Sequence, residues 1–99
     1  MNHSGRLALV TGGTGGIGTA ICRKLAQKGC RVVASYHPSE EDSLEEWRQA
    51  RKAEGIEVGL VAGDVSYPDA CVTMIDEIEE KCGQIDILVN NAGTFSVGM

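Results

Sequence analysis

The segment that decides the fold of this chain is Leu7-Ala8-Leu9-Val10-Thr11-Gly12-Gly13-Thr14-Gly15-Gly16-Ile17-Gly18. It begins with an apolar run typical of a buried β-strand and passes through a glycine-rich turn into a helical pattern. Gly12 allows a tight turn after the strand, because glycine adopts positive φ without a Cβ clash. Gly16 allows the backbone to approach a pyrophosphate closely, and Gly18 allows the helix to pack closely on the strand. The segment therefore predicts a dinucleotide-binding turn, in which the phosphates face the free N–H groups and positive end of the helix.

The remainder of the chain repeats this alternation of strand and helix. Apolar runs predict four strands, at about residues 6–11, 31–35, 57–62 and 85–90. Helical periodicity predicts three helices between them, at about residues 16–28, 43–54 and 67–81. Strands joined by crossover helices form a parallel sheet with right-handed connections, and the expected strand order is 3-2-1-4. The expected fold is therefore α/β: residues 1–99 form a single N-terminal βαβαβαβ part of a doubly wound, Rossmann-type dinucleotide-binding domain. This context argues against the alternative of a glycine-rich loop without a ligand.

Side-chain patterns add local expectations to this plan. Ile17, Ile21 and Leu25 recur at helical spacing, so we expect them to face the sheet. After a loop, Ser43 and Glu46 have the spacing of a capping box at the start of the second helix. The fourth strand is nearly all apolar, as expected for a strand that is covered on both faces.

Composition limits the kind of protein that this chain can be. Its 99 residues carry nine Lys and Arg against fourteen Asp and Glu, a net charge of −5 without a basic cluster, so nucleic acid is not an expected partner. No apolar run approaches the roughly 20 residues needed to span a bilayer, and the polar N-terminus is unlike a signal peptide. We therefore expect no membrane partner and a cytoplasmic location. The cysteines lack metal-ligand spacing, so no metal site is predicted. We expect all four to be reduced residues that pack in the fold: Cys22, Cys30, Cys71 and Cys82. Trp47 is also expected to be a packing residue.

Four separate segments reach the carboxyl ends of the predicted strands, where ligands bind in doubly wound sheets. They are the glycine turn, the end of the second strand, Gly63-Asp64-Val65 and Asn90-Asn91-Ala92-Gly93. Two alternatives stay open: Asp64 could form a turn before Ser66, and Asn90 and Asn91 could tie neighbouring strands together. The candidate cofactor-binding residues are Gly12, Thr14, Gly15, Gly16, Ile17, Gly18, Ser35, Gly63, Asp64, Val65, Asn90, Asn91, Ala92 and Gly93.

Three motifs resemble signatures of the short-chain dehydrogenase/reductase family: Thr11-Gly12-x-x-x-Gly16-Ile17-Gly18, Asp64-Val65 and Asn90-Asn91-Ala92-Gly93. Within that family, residues 10–22, residues 31–34 and Trp47 look most like the acetoacetyl-CoA reductases, the ketoreductases of polyhydroxyalkanoate synthesis. The resemblance implies that the glycine turn holds the pyrophosphate and that Asp64 and Val65 contact the adenine. It also implies that residues 90–93 line the adenosine ribose and the floor of the nicotinamide site.

By the same resemblance, the catalytic residues of the family follow the fourth strand. They are a Ser, a further Asn, and a Tyr and Lys spaced Y-x-x-x-K, of which the Tyr acts as an acid toward the carbonyl oxygen. Tyr36 and Tyr67 are the only tyrosines here, and neither has a Lys four residues later. We therefore expect no catalytic residue in this chain. On this resemblance, the chain is interpreted as a fragment that holds the cofactor-binding part of an NADPH-dependent ketoreductase. The whole ketoreductase is expected to reduce acetoacetyl-CoA and to assemble as a homo-oligomer. The alternative is a nucleotide-binding module or interaction protein without catalysis.

The choice between NAD and NADP depends on the residues that end the second strand. An acidic residue there binds the ribose 2′-hydroxyl and excludes a 2′-phosphate. This chain has Ser35, Tyr36 and His37 instead, which can donate hydrogen bonds to a phosphate, although His37 could also be a simple loop residue. A basic partner for the phosphate is missing too, since Gly15 stands where many NADP-dependent members of the family carry one. On the resemblance, the expected cofactor is NADP(H) rather than NAD(H).

Overall fold

A parallel four-stranded sheet organises the chain, of which the computed structural model describes residues 5–91. The strands are β1 (Leu7–Val10), β2 (Arg31–Tyr36), β3 (Val58–Ala62) and β4 (Ile87–Val89). The helices are α1 (Gly16–Gln27), α2 (Leu44–Ala53) and α3 (Pro68–Cys82), and a 3₁₀-helix (Pro38–Ser43) precedes α2. The sheet order is β3-β2-β1-β4, which confirms the order predicted for a doubly wound, Rossmann-type fold.

The strand register brings the carboxyl ends of the strands to one edge of the sheet. All neighbouring strands are parallel, and Leu9 of β1 lies opposite Val33 of β2 on one side and Leu88 of β4 on the other. The segments that follow the four strands therefore converge at this edge. The sequence predicted the same convergence from the alternation of strands and helices.

Helices cover the sheet on both faces. Ala8 and Val10 belong to a buried cluster on which side chains of α1 and α2 pack. Leu7 and Leu9 belong to a second cluster on the opposite face, with Met74 and Ile78 of α3. Successive side chains of a strand point to opposite faces, so a central strand with helices on both sides is apolar at every position. All four residues of β1 are accordingly buried.

Trp47 is a packing residue, as predicted. It is half-buried against the cluster beneath α1 and α2, and its Nε1 donates a hydrogen bond to the Thr19 hydroxyl at 2.9 Å. The Arg51 guanidinium lies 5.1 Å from the centroid of the indole ring. The cysteines are free, and burial raises the pKa of the Cys22 thiol to about 11.

The expectation that Ile17 faces the sheet is wrong, because 73% of its surface is exposed. The buried residues of α1 are Gly18 and Cys22, one turn apart. Ile21 and Leu25 of the predicted stripe do pack against the buried cluster on this face of the sheet. In the first turn of α1, Gly18 is buried instead of Ile17, and it lies so close to the glycine turn that a Cβ there would overlap it.

Ser43 stands at the N-cap position of α2, as expected, but the expected capping box is absent, and the segment before α2 is a 3₁₀-helix rather than a loop. The Ser43 hydroxyl donates to the Glu40 carbonyl oxygen at 3.0 Å and makes no hydrogen bond to the first turn of α2. His37 caps the 3₁₀-helix instead. Its Nδ1 accepts from the Ser39 N–H at 3.1 Å, and its N–H donates to Glu40 Oε1 at 2.9 Å. Pro38 favours this start, because its fixed φ suits the first helical position.

β4 is an edge strand in the described part of the chain. Its only neighbour among residues 5–91 is β1, and Leu88 is 57% exposed. The expectation of a strand covered on both faces therefore does not hold for these residues. Within the same range, every helix is too short or too polar to cross a membrane. Residues 5–91 also contain no group of three His, Cys, Asp or Glu side chains that could hold a metal ion.

Candidate cofactor site

A cavity of about 470 Å³ opens at the carboxyl edge of the sheet, between the glycine turn, the end of β2 and the segment that follows β3. The predicted site residues that line it are Gly12, Thr14, Gly15, Ser35, Gly63, Asp64, Val65 and Asn91. A larger cavity of about 610 Å³ lies at the amino edge, where Ala26 and Gly55 mark the C-terminal ends of α1 and α2. Helix C-termini carry partial negative charge, so the carboxyl edge is the better candidate for an anionic ligand.

The glycine turn has the tight geometry that the sequence predicts. Gly12 has a φ of 63°, and its carbonyl oxygen accepts from the Gly15 N–H at 3.2 Å. A Cβ on Gly16 would meet no atom within 4 Å, so the surface at the start of α1 is open to an approaching group. A Cβ on Gly18 would overlap the Gly12 carbonyl oxygen and lie 2.6 Å from the Gly13 Cα. Gly18 therefore packs α1 against the turn itself, rather than against β1 as predicted.

Gly13 has a packing role that was not predicted from the sequence. A Cβ at this position would lie 2.6 Å from the Ala34 Cβ, so the turn passes directly over β2. The signal was present as a run of glycines longer than the binding motif requires. Ser35 holds the same part of the turn, since its buried hydroxyl accepts from the Gly12 N–H and its carbonyl oxygen accepts from the Gly13 N–H, both at 3.1 Å.

The two asparagines after β4 tie that strand to the glycine turn. The Asn91 side-chain amide donates to the Gly12 carbonyl oxygen at 3.2 Å, and the Asn91 N–H donates to the Thr11 hydroxyl at 2.9 Å. The Thr11 hydroxyl also lies 3.3 Å from Asn90 Oδ1. The structural alternative for Asn90 and Asn91 is thus observed, and it can coexist with a cofactor role. The remaining residues of this motif, Ala92 and Gly93, lie outside the described residues.

Asp64 forms the turn that the sequence allowed as an alternative. Its Oδ1 accepts from both the N–H and the hydroxyl of Ser66, and its Oδ2 lies 3.3 Å from His37 Nε2. The hydrogen bonds from Ser66, and then the nearby His37, hold the pKa of Asp64 below its ordinary value. Because His37 Nδ1 accepts from the Ser39 N–H, the proton of the neutral imidazole belongs on Nε2, facing Asp64. Asp64 is therefore a fixed anion at the floor of the cavity.

Glu40 closes one side of the cavity and was not predicted. It is half-buried, whereas the neighbouring Glu41 and Asp42 are exposed. Its Oε1 accepts from the His37 N–H at 2.9 Å, and its Oε2 accepts from the Thr14 hydroxyl at 3.2 Å. The signal for this role was the spacing of an acidic residue three positions after a residue that can cap a helix. No Lys or Arg from residues 5–91 lines the cavity.

The other predicted site residues lie beside the cavity rather than in its wall. Gly16 and Ile17 are exposed at the start of α1. Asn90 lines an adjoining cavity of about 320 Å³ with Thr11 and Leu88, and Val65 borders both cavities.

Comparison with known proteins identifies the family. The family model described as short chain dehydrogenase matches residues 6–99. This chain belongs to the short-chain dehydrogenase family. The acetoacetyl-CoA reductase of Allochromatium vinosum is 58% identical over 88 residues, which are 89% of this chain and 36% of that protein. The acetoacetyl-CoA reductase of Cupriavidus necator is 44% identical over 89% of this chain and 35% of its own length. The chain therefore spans about a third of the length of these curated relatives.

Solved structures of other short-chain dehydrogenases share the fold. The 2-keto-3-deoxy-D-gluconate dehydrogenase from Streptococcus agalactiae superposes with a TM-score of 0.85 at 34% identity, over 96% of this chain and 35% of that one. The L-sorbose reductase from Gluconobacter frateurii, in complex with NADPH and L-sorbose, has a TM-score of 0.81 at 35% identity, over 100% of this chain and 37% of that one. These likenesses support a nicotinamide dinucleotide as the ligand class.

The residues of this short-chain dehydrogenase fit such a ligand. Gly16 leaves the start of α1 open, and the first turn of α1 contains no acidic side chain. Free N–H groups and the positive end of a helix favour a phosphate at this place. The hydrogen bonds of Ser35 and Asn91 hold the turn from both sides.

Proposed function

We propose that this chain is the cofactor-binding part of a nicotinamide-dependent ketoreductase whose substrate is a 3-oxoacyl thioester. The specific reaction proposed is the reduction of acetoacetyl-CoA to 3-hydroxybutyryl-CoA. The observation that carries the proposal is the glycine turn, which leaves the start of α1 open beside a cavity at the carboxyl edge of the sheet. The names of two relatives, 58% and 44% identical over 89% of this chain, support the substrate class.

In this proposal, each part of the site has a separate task. The start of α1 and the open surface at Gly16 bind the pyrophosphate. The cavity takes the adenosine half, with Asp64 and Val65 near the adenine. When bound, the reduced nicotinamide supplies a hydride to the carbonyl carbon of the substrate. Tyr36 and Tyr67 lack the Lys that would make either one the acid of the reaction, so the task of this chain is to bind and orient the cofactor.

The preference for NADP(H) over NAD(H) stays a prediction. The resemblance to the acetoacetyl-CoA reductases supports it, and so do the complexes of two structural relatives with NADPH. The carboxylate of Glu40 opposes it, because a negative charge in the wall of the cavity repels a 2′-phosphate.

Substitution of Gly16 tests the proposed site. A Gly16→Asp variant should lose the binding of NADH and NADPH, because the new carboxylate blocks the approach of the pyrophosphate and repels it. An acidic residue in the first turn also favours the helix dipole, so the variant should still fold. Binding is measured by fluorescence anisotropy of the reduced nicotinamide.

The matched control is Ala20→Asp, which adds the same charge at an exposed position of the same helix. It should retain the wild-type dissociation constants. Unchanged affinity in Gly16→Asp, or equal loss in both variants, would refute the location of the pyrophosphate site.

A further inference from the structure

Glu40 lies near the end of β2, where the adenosine ribose is expected and where NAD(H) differs from NADP(H) at the 2′ position. In doubly wound dinucleotide-binding folds, the adenosine ribose lies at the end of β2, where an acidic residue binds its 2′-hydroxyl. Here the end of β2 is Ser35 followed by Tyr36, and neither is acidic. Glu40 comes from the 3₁₀-helix that follows, yet its side chain returns to this point and bonds the His37 N–H.

The carboxylate of Glu40 also reaches across the cavity. Its second oxygen accepts from the hydroxyl of Thr14, a residue of the glycine turn. The group is therefore fixed at both oxygens, between the loop after β2 and the pyrophosphate-binding turn, and it lines the cavity. A fixed acceptor in this position matches a ribose hydroxyl, which can donate a hydrogen bond to it.

The charges around the cavity also favour a ribose with a free 2′-hydroxyl over one with a 2′-phosphate. A cationic partner strengthens the binding of a 2′-phosphate, and no Lys or Arg of residues 5–91 lines the cavity. The basic side chain that does line it is His37, whose Nε2 faces Asp64 at 3.3 Å. Asp64 contributes a second carboxylate to the wall, and Glu41 and Asp42 add exposed negative charge next to Glu40. Repulsion at contact distance costs at least about fivefold in affinity for each pair of unit charges, even in bulk water.

We propose that Glu40 is the specificity-determining residue of the cofactor site and selects a dinucleotide with a free 2′-hydroxyl, NAD(H), over NADP(H). It takes the role of the acidic residue that β2 lacks. This inference rests on the proposed function, because it concerns the same site. It runs against the preference predicted from the sequence, which was based on the residues at the strand end alone.

The test compares the dissociation constants of NADH and NADPH for the 99-residue chain, by fluorescence anisotropy of the reduced nicotinamide. The wild type should bind NADH at least about tenfold more tightly than NADPH. Glu40→Gln should bring the two constants to within about threefold, and Glu40→Arg should make NADPH the tighter ligand. Glu41→Gln is the matched control, since it removes the same charge from the neighbouring, exposed residue, and it should keep most of the wild-type ratio.

A second measurement needs no variant. Raising the ionic strength from about 20 mM to about 500 mM should narrow the ratio of the wild-type constants, because salt screens the repulsion of the 2′-phosphate. A wild type that binds NADPH as tightly as NADH, or a ratio that Glu40→Gln leaves unchanged, overturns the role of Glu40 and leaves the cofactor site intact. Failure to bind either dinucleotide overturns the proposed function itself, and this inference with it.

Discussion

Two glycines of α1, two positions apart, should respond in opposite ways to the same substitution. In Gly18→Ala, the added Cβ would overlap the Gly12 carbonyl oxygen and lie 2.6 Å from the Gly13 Cα. These atoms are backbone atoms of a turn that Ser35 and Asn91 hold in place, so they cannot move aside without breaking hydrogen bonds. In Gly16→Ala, the same Cβ meets no atom within 4 Å.

The magnitudes follow from overpacking and from helix propensity. Forcing a methyl group into a packed site costs about 1–3 kcal/mol, and the overlap with rigid backbone places Gly18→Ala near the upper end. Replacing glycine by alanine within a helix raises the free energy of unfolding by up to about 1 kcal/mol, because alanine has the higher helix propensity. We therefore expect Gly18→Ala to lower the free energy of unfolding by about 2 kcal/mol and Gly16→Ala to leave it unchanged or slightly raised.

The assay is thermal unfolding followed by circular dichroism, at one fixed protein concentration for all variants. At about 4–8 °C per kcal/mol for a domain of this size, the Tm values of the two variants should differ by about 10–20 °C. Equal Tm values for the two variants would refute the packing of α1 on the glycine turn. A Gly16→Ala variant that is the less stable of the two would refute the open surface at the start of α1.

Three further predictions concern the chain as a whole. The pKa of the Cys22 thiol is raised from 9.0 to about 11, so the thiol ionises in the unfolded chain before it ionises in the folded chain. The free energy of unfolding should therefore fall as the pH rises from 9 to 11. Urea titrations should show a shallower fall for Cys22→Ala than for the wild type, and equal dependence of the free energy of unfolding on pH in the two proteins would contradict the assignment. The edge of β4 is exposed, with Leu88 57% exposed, and should cause self-association of the chain. Sedimentation velocity would detect this as species larger than the monomer, whereas a monodisperse monomer with a cooperative melt would argue against it. The 99-residue chain should not reduce acetoacetyl-CoA with either nicotinamide cofactor, since neither tyrosine has the required Lys; turnover in a contaminant-free sample would disprove this.

The sheet, and the edge at which the candidate site lies, could be predicted because their determinants are local and periodic. The apolar strands, the helical patterns between them and the rule of right-handed crossovers lead to the order β3-β2-β1-β4. Gly12 could be assigned a positive φ because a tight turn after a strand requires it, and its φ is 63°.

The errors arose where side chains interact across the fold. Periodicity placed Ile17 on the sheet face with Ile21 and Leu25, but in the first turn of α1 it is Gly18 that is buried, against the glycine turn. The role of Glu40 could not be found from the end of β2, because it depends on a 3₁₀-helix that returns the side chain to Thr14. Ser43 stands at the N-cap position of α2, as its spacing predicts, yet its hydroxyl bonds the Glu40 carbonyl oxygen of the preceding 3₁₀-helix instead of the first turn of α2.

Binding of a dinucleotide at the carboxyl edge of the sheet can be mapped residue by residue from the amide chemical shifts of the isotope-labelled chain. On titration with NADH, we expect the largest shift changes at the amides of residues 12–17, 35–37, 39–40 and 63–65. Cys30, Ile56 and Cys82, which line the cavity at the opposite edge, should change little. Changes confined to that opposite edge, or no saturable change anywhere, would contradict binding at the carboxyl edge.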